Sequence, residues 1–330
     1  MFINHKTVKQ QLTYADSRLE ILAVTPEVYN SVVQKPFTIF HGADFNVLNA
    51  ASCEQVLYLL FRDKKFRLGL IGGIRDNVFY SPLSAPFGGF SLIKKDVRIH
   101  FIDEALVLLQ RFLNKKNVTQ IHITLPPFQY GATFLSKVSN ALLRQNYTLK
   151  SNDLNHYFEL TRWPDHYLEK IKHSARKHIA KAQKHNLGLI KAETITEKKE
   201  AYAIIEYNRK ARGNPLHLSW EKLQKTILLV KADFFLLGTP GAYVAAAINF
   251  YVLPEVVQII YWGSLPEKND LRPMNLLAYK VFEYYHQKGF HWLDLGQSSI
   301  QGIPQQGLCN FKESMACAIT LKQSFSKNIS

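Results

Sequence analysis

Hydrophobic and polar positions alternate along the second half of the chain with two different periods. The apolar run over 241–251 reads as a strand, and 256–262 pairs with it as a hairpin turning at Pro254-Glu255. Met274, Leu277, Ala278, Val281, Phe282 and Tyr285 then follow the spacing i, i+3, i+4, i+7, i+8, i+11, which predicts an amphipathic helix. Pro273 suits its first turn and Gly289 its end. The segment 290–295 is a returning strand. After it comes a stretch punctuated by Gly296, Gly302 and Gly307, read as a loop ending in Phe311-Lys312-Glu313, and then a final strand over 317–322.

The first half shows the same order. Strands are predicted over 66–74 and 77–80, with a turn at Arg75-Asp76. The two prolines and two glycines of 82–89 require a loop. Ile102, Ala105, Leu106, Leu109, Phe112 and Leu113 form one face of a helix. A strand over 118–124, a helix over 131–145 and a strand over 155–160 complete the half. A repeated order of elements points to internal duplication at an offset of about 170 residues.

A different helix opens the second half, over 164–186. Leu168, Ile171, Ala175, Ile179 and Ala182 make its apolar stripe, and Lys170, Lys172, Arg176, Lys177, Lys181 and Lys184 cover the rest. Asn186-Leu187-Gly188 is its stop. Another helix is predicted over 197–210, a turn at Gly213-Asn214-Pro215, and a helix from the N-cap Ser219 to about Lys231. The expected domains are therefore 1–160 and 161–330, each α/β (α+β).

The charge changes this picture. With 41 Lys and Arg against 26 Asp and Glu, the formal net charge is +15, which favours anionic partners such as tRNA, a nucleotide-linked precursor or an anionic membrane surface, or else is a solvated basic surface. Three cysteines without C-x-x-C spacing exclude a disulfide framework and a zinc site. No signal peptide stands out in 1–16 and no apolar run reaches the ~20 residues of a membrane span, so the chain reads as cytoplasmic.

Familiar catalytic signatures are missing: no Walker A loop, no G-x-G-x-x-G opening a helix, no H-E-x-x-H, no G-x-S-x-G elbow. No metal site is expected, and the twelve histidines read as surface or packing residues. Polar chemistry concentrates after the strand ends of the last third, where α/β sites commonly lie. Asp294 can orient a nucleophile or accept a proton; it can equally cap its own turn. Lys312 can stabilise negative charge developing on a carbonyl, or bind phosphate; it can equally be a surface lysine beside the last strand. Tyr261-Trp262 can wall a cleft or belong to the core.

Taken in order, Tyr261-Trp262-Gly263, Leu271-Arg272-Pro273-Met274-Asn275-Leu276-Leu277, Asp294-Leu295-Gly296 and Phe311-Lys312 resemble the C-terminal half of the FemAB-like acyltransferases. The loop from Ser81-Pro82 to Pro86-Phe87-Gly88-Gly89 and the basic segment Ser174-Ala175-Arg176-Lys177-His178-Ile179-Ala180-Lys181-Ala182 resemble other parts of that family, so the likeness covers nearly the whole chain. It implies two tandem GNAT-like domains, each a mixed, mainly antiparallel sheet flanked by helices. It also implies transfer of an acyl or aminoacyl group to an amine of a cell-envelope precursor or metabolite. The co-substrate would be acyl-CoA or aminoacyl-tRNA, with no permanently bound cofactor. On the same basis Lys312 would stabilise charge, and Asp294 or the acceptor's own groups would handle the proton. Arg176, Lys177, Lys181, Tyr261, Trp262, Arg272, Asn275 and Phe311 would hold substrate.

Three departures stand out. Met315-Ala316 replaces the family's Phe-Gly. The long helical arm of the tRNA-dependent Fem enzymes is missing. Asn275 and Leu277 occupy the small positions of a CoA pyrophosphate loop, and Pro273 removes an amide donor. The alternative reading is a non-catalytic module on a degenerate GNAT fold, holding RNA or anionic lipid through the basic helix.

Overall fold

The computed structural model describes residues 8–12, 18–94, 97–163 and 166–329. Two compact units account for them. Unit 1 contains the described residues up to Asp153, Ile300–Gly302, and those from Thr320 onward; unit 2 contains Leu154–Ser299 and Ile303–Ile319.

Unit 1 begins with β1 (Val8–Leu12), β2 (Glu20–Val24), α1 (Pro26–Val32), α2 (Ala43–Leu48) and β3 (Gln55–Arg62). The expectations above left this stretch unassigned. Its second strand is buried at every position from Ile21 to Val24, so it lacks the alternation that marks a half-buried strand. β4 (Phe66–Arg75), β5 (Val78–Ser81), β6 (Phe90–Leu92), α3 (Ile99–Asn114), β7 (Gln120–Thr124) and α4 (Ala132–Arg144) follow. The turn between β4 and β5 lies one residue later than expected. Asp76 and Asn77 both take positive φ (52° and 58°), the conformation of a two-residue hairpin turn. The sheet is antiparallel except where β5 and β7 run parallel.

Unit 2 repeats the pattern. β8 (Thr148–Glu159) leads into it, followed by α5 (Tyr167–Lys170), α6 (His173–Gln183), β9 (Gly188–Lys191), α7 (Ile195–Ala211), α8 (Trp220–Thr226), β10 (Ala232–Thr239), β11 (Ala242–Leu253), β12 (Val256–Ser264) and α9 (Pro273–Gln287). β13 (Trp292–Gln297), the short hairpin β14 (Ser299–Ile300) and β15 (Ile303–Pro304), α10 (Gln306–Ser314) and β16 (Ala318–Asn328) complete the chain. Antiparallel pairing links β9, β10, β11 and β12, and β13 joins β12 in parallel.

Three local expectations are corrected here. The basic helix is two pieces, because Ile171 is extended (ψ 160°) and ends α5; its apolar stripe still runs through Ile171, Ala175, Ile179 and Ala182, all buried. Its expected first residue, Pro164, lies outside the described residues. The helix after Ser219 stops at Thr226, well before Lys231. Finally, 306–314 is a helix rather than loop, so Phe311 and Lys312 are helical residues.

The duplication is visible element by element. Starts at Phe66 and Ala242, Ile99 and Pro273, Gln120 and Trp292, and Thr148 and Ala318 lie roughly 170 residues apart. The last strand of each repeat is exchanged. β8, from the first, pairs with β13, whereas β16, from the second, pairs with β7. A single boundary at 160/161 therefore does not describe the two units.

In unit 2 one sheet face packs under α6 and α9, through Leu237, Ala247, Val257, Leu276, Val281 and Leu293. α7 covers the other face. Gly263 allows that approach: a Cβ there would sit 3.0 Å from the Asn208 side chain.

Candidate functional site

β12 and β13 pair only at Val256 with Trp292, Val257 with Leu293 and Gln258 with Asp294. β12 continues to Ser264 and β13 to Gln297, so the two parallel strands part just after Asp294. β13 also bulges there against β8, between Asp294 and Gly296. Gly296 has φ +75°, a conformation that favours glycine over any residue with a Cβ. Beyond Gln258, β12 has no β13 residue opposite it, and a strand edge of that kind is a place where an extended ligand can add backbone hydrogen bonds.

Lys312 is 1 % exposed. Its ammonium reaches from α10 to the bulged segment and donates to the carbonyls of Leu295 (2.8 Å), Gly296 (2.8 Å) and Gln297 (3.4 Å) and to Ser298 Oγ (2.8 Å). Three N–H protons thus serve four oxygens. Burial pushes the ammonium down to about 8, with Asp294 pulling the other way. The surface-lysine reading is wrong, and a free ammonium pointing at substrate is not what the geometry holds. The lysine replaces the sheet partner that the parted β13 has lost.

Asp294 is fully buried and its carboxylate is occupied. Oδ1 accepts from Asn155 Nδ2 (2.7 Å) and from the Gly296 amide (2.8 Å), and Oδ2 accepts from Gln258 Nε2 (2.9 Å). The bond to Gly296 is the turn cap that the sequence offered as the alternative role. A carboxylate with three donors and no exposure is placed to hold the bulge, not to take a proton from substrate.

The aromatic pair separates. Trp262 lies on the α9 face, where Phe311 meets it edge-on with ring centroids 5.7 Å apart. Tyr261 lies on the α7 face; burial raises its phenol, and Arg209 opposes this. Phe311 and Lys312 are adjacent in α10, so that helix touches β12 through one side chain and β13 through the next.

At the start of α9, Arg272 takes positive φ (58°) and Pro273 follows at the first helical position. His178 of α6 is held below its ordinary value by burial and by Arg272, with Asn275 opposing and Lys181 adding to the fall. Arg272 and Lys181 therefore place positive charge around the neutral His178 imidazole at a helix N-terminus, favourable for an anion. Asn275 is 7 % exposed and turns its amide towards Met315 Sδ (3.6 Å). Arg176 and Lys177 stand exposed on α6.

Sequence reasoning missed His156. It is fully buried on β8, in register with Gly296, and neither ring nitrogen has a hydrogen-bond partner. The Glu313 carboxylate lies 3.9 Å from Nε2. Burial, helped by the Lys312 charge, pushes the imidazole down to about 4. The available signal was the polar pair Asn155-His156 inside an otherwise sheet-like run.

No family model matches this chain, and no curated protein matches its sequence. Solved structures do. FemX superposes with a TM-score of 0.68 at 10 % identity, over 93 % of this chain and 97 % of that one. The L-PGS of Bacillus licheniformis gives 0.57 at 12 % identity, over 91 % of each chain. A tandem GNAT protein from the clavulanic acid biosynthesis pathway gives 0.54 at 9 % identity, over 94 % of this chain and 99 % of that one. With the repeated sheet and its parallel joint in each unit, these likenesses show that the chain has a tandem GNAT-type fold.

Proposed function

We propose that the chain is an N-acyltransferase that moves an acyl or aminoacyl group onto an amine. The observation that carries this reading is the parting of β12 and β13 after Gln258 and Asp294, flanked by Trp262 and Phe311. An extended amide-bearing donor arm would lie along the unpaired strand edge. Its anionic end would meet Arg272, Lys181 and His178 at the start of α9.

The acceptor amine attacks the donor carbonyl directly: the C–N bond forms and the bond from carbon to the leaving oxygen or sulfur breaks. No enzyme nucleophile is required. The amine proton passes to the departing group, since Asp294 is fully buried and already accepts from Asn155, Gln258 and the Gly296 amide. Lys312 supports the reaction by its charge beside the gap and by holding the Leu295–Ser298 backbone in place. The donor is an anionic co-substrate, acyl-CoA or aminoacyl-tRNA. The proline and missing glycines at the start of α9 weigh against the first, and the missing helical arm weighs against the second.

Thermal-shift measurements against CoA thioesters, aminoacyl-tRNA analogues and nucleotide-linked sugars test this directly. One class should raise the melting temperature at saturation. Trp262→Ala should abolish that rise and Tyr261→Ala should leave it, because only Trp262 flanks the gap with Phe311. No rise with any class would sink the reading.

A further inference from the structure

The patch made by the turn after α8 has no role in the site above. α8 ends at Thr226, and the amides of Leu229 and Val230 both fold back to the Thr226 carbonyl (3.0 and 2.9 Å). This tight turn buries Val230 and Leu223 as its anchor. It leaves Leu228 84 % exposed and Leu229 54 % exposed, beside Ile195 at 55 %. A groove of about 370 Å³ runs alongside, lined by Ile195, Ile227, Leu228 and the stems of Gln224 and Lys225, with Glu221 at its edge. Isolated exposed aliphatics are ordinary, but two on one turn beside a third are not.

Lysines surround the turn. Lys222, Lys225 and Lys231 are exposed within a few residues of Leu228, and Lys199 lies close enough to Glu221 to lower its carboxyl, after that group's own backbone and Ser219 contacts.

We propose that this turn docks the protein onto a bilayer surface carrying anionic phospholipid. Leu228 and Leu229 enter the acyl boundary while the flanking lysines lay their stems along it and reach the lipid phosphates. The shape decides between occupants. A stable protein partner needs about 800 Å² of complementary surface per side, far more than a protruding two-leucine tip supplies. A lipid interface needs no shape complement, and it matches both the apolar tip and its basic rim. The inference stands on different residues from the acyltransferase reading and does not depend on it.

The test is flotation of the full chain with phosphatidylcholine vesicles, with and without phosphatidylglycerol. The protein should float with the anionic vesicles only, and added salt should release it. The double variant Leu228→Ser/Leu229→Ser should lose at least about tenfold in partitioning, as expected for withdrawing two aliphatic side chains from an apolar phase. Its melting temperature should not fall, since neither side chain is buried. Lys222→Glu/Lys225→Glu should weaken binding to anionic vesicles in the same direction. Three results would overturn the proposal: no flotation of the parent chain; flotation that the leucine variant leaves intact, which would assign binding to charge elsewhere; or a parent dimer that the leucine variant dissociates, which would make a second copy the occupant.

Discussion

Replacing Lys312 by methionine keeps the length of the side chain and removes the ammonium. Three carbonyls and the Ser298 hydroxyl then lose their donor. Each buried acceptor left unmatched costs about 1–3 kcal/mol. Part of this is offset, because the ammonium itself is held uncomfortably. The fall from 10.5 to about 8, which already includes the pull of Asp294, corresponds to roughly 3 kcal/mol that methionine avoids. The net loss should be about 3–5 kcal/mol, the range for removing one partner of a buried charged network. Urea unfolding followed by tryptophan emission reads this well, since Trp262 rests on Phe311, the neighbour of Lys312. With a slope of about 2 kcal/mol per molar, the midpoint of the transition should fall by about 2 M. A catalytic lysine that served only the transition state would lower kcat and leave the midpoint in place. A midpoint within about 0.3 M of the parent would refute the structural role assigned to this ammonium.

Two further outcomes follow from the same region and from unit 1. Ala316 closes α10 with φ +59°, while the Cys317 and Ala316 amides donate to the Lys312 and Glu313 carbonyls, a cap that usually carries glycine. Ala316→Gly should therefore stabilise the chain by about 0.5–1 kcal/mol, visible as a higher melting temperature, where glycine elsewhere in a helix would lower it. His156 and His41 are both pushed down to about 4, chiefly by burial, from an ordinary value of 6.5. The unfolded chain then binds their protons first as pH falls, so stability is full above about 6.5 and declines towards about 4. Replacing His41 and His156 with glutamine should flatten that acid limb in pH-dependent urea titrations; an unchanged slope would mean that other groups carry it.

Element types were legible because their signal is local. The 3.6-residue period of the helix at 274–285 and the apolar runs on either side of Pro254-Glu255 are local patterns, and both emerged as read. The helix at 306–314 was not legible. Its glycine and its polar residues resemble loop chemistry, and only its packing of Phe311 on Trp262 and Lys312 on β13 makes it a helix face. The order Asp294-x-Gly296 followed by Lys312 picked out residues that the fold brings into contact.

What the sequence determined by itself was the repeated order of elements, the basic stripe and the location of the polar concentration. What only the tertiary structure decided was the role of each group within it. Lys312 bonds to residues 14 to 17 positions away, and Asp294 to Asn155 and Gln258 on two other strands. Tyr261 and Trp262, adjacent in sequence, go to opposite faces because a strand alternates its side chains. The exchange of β8 and β16 between the repeats has no local signature at all, since each strand carries the same pattern whichever neighbour it pairs with. Periodicity specifies which face of an element is buried; it does not specify what is buried against it, and at this site the partner decides the chemistry.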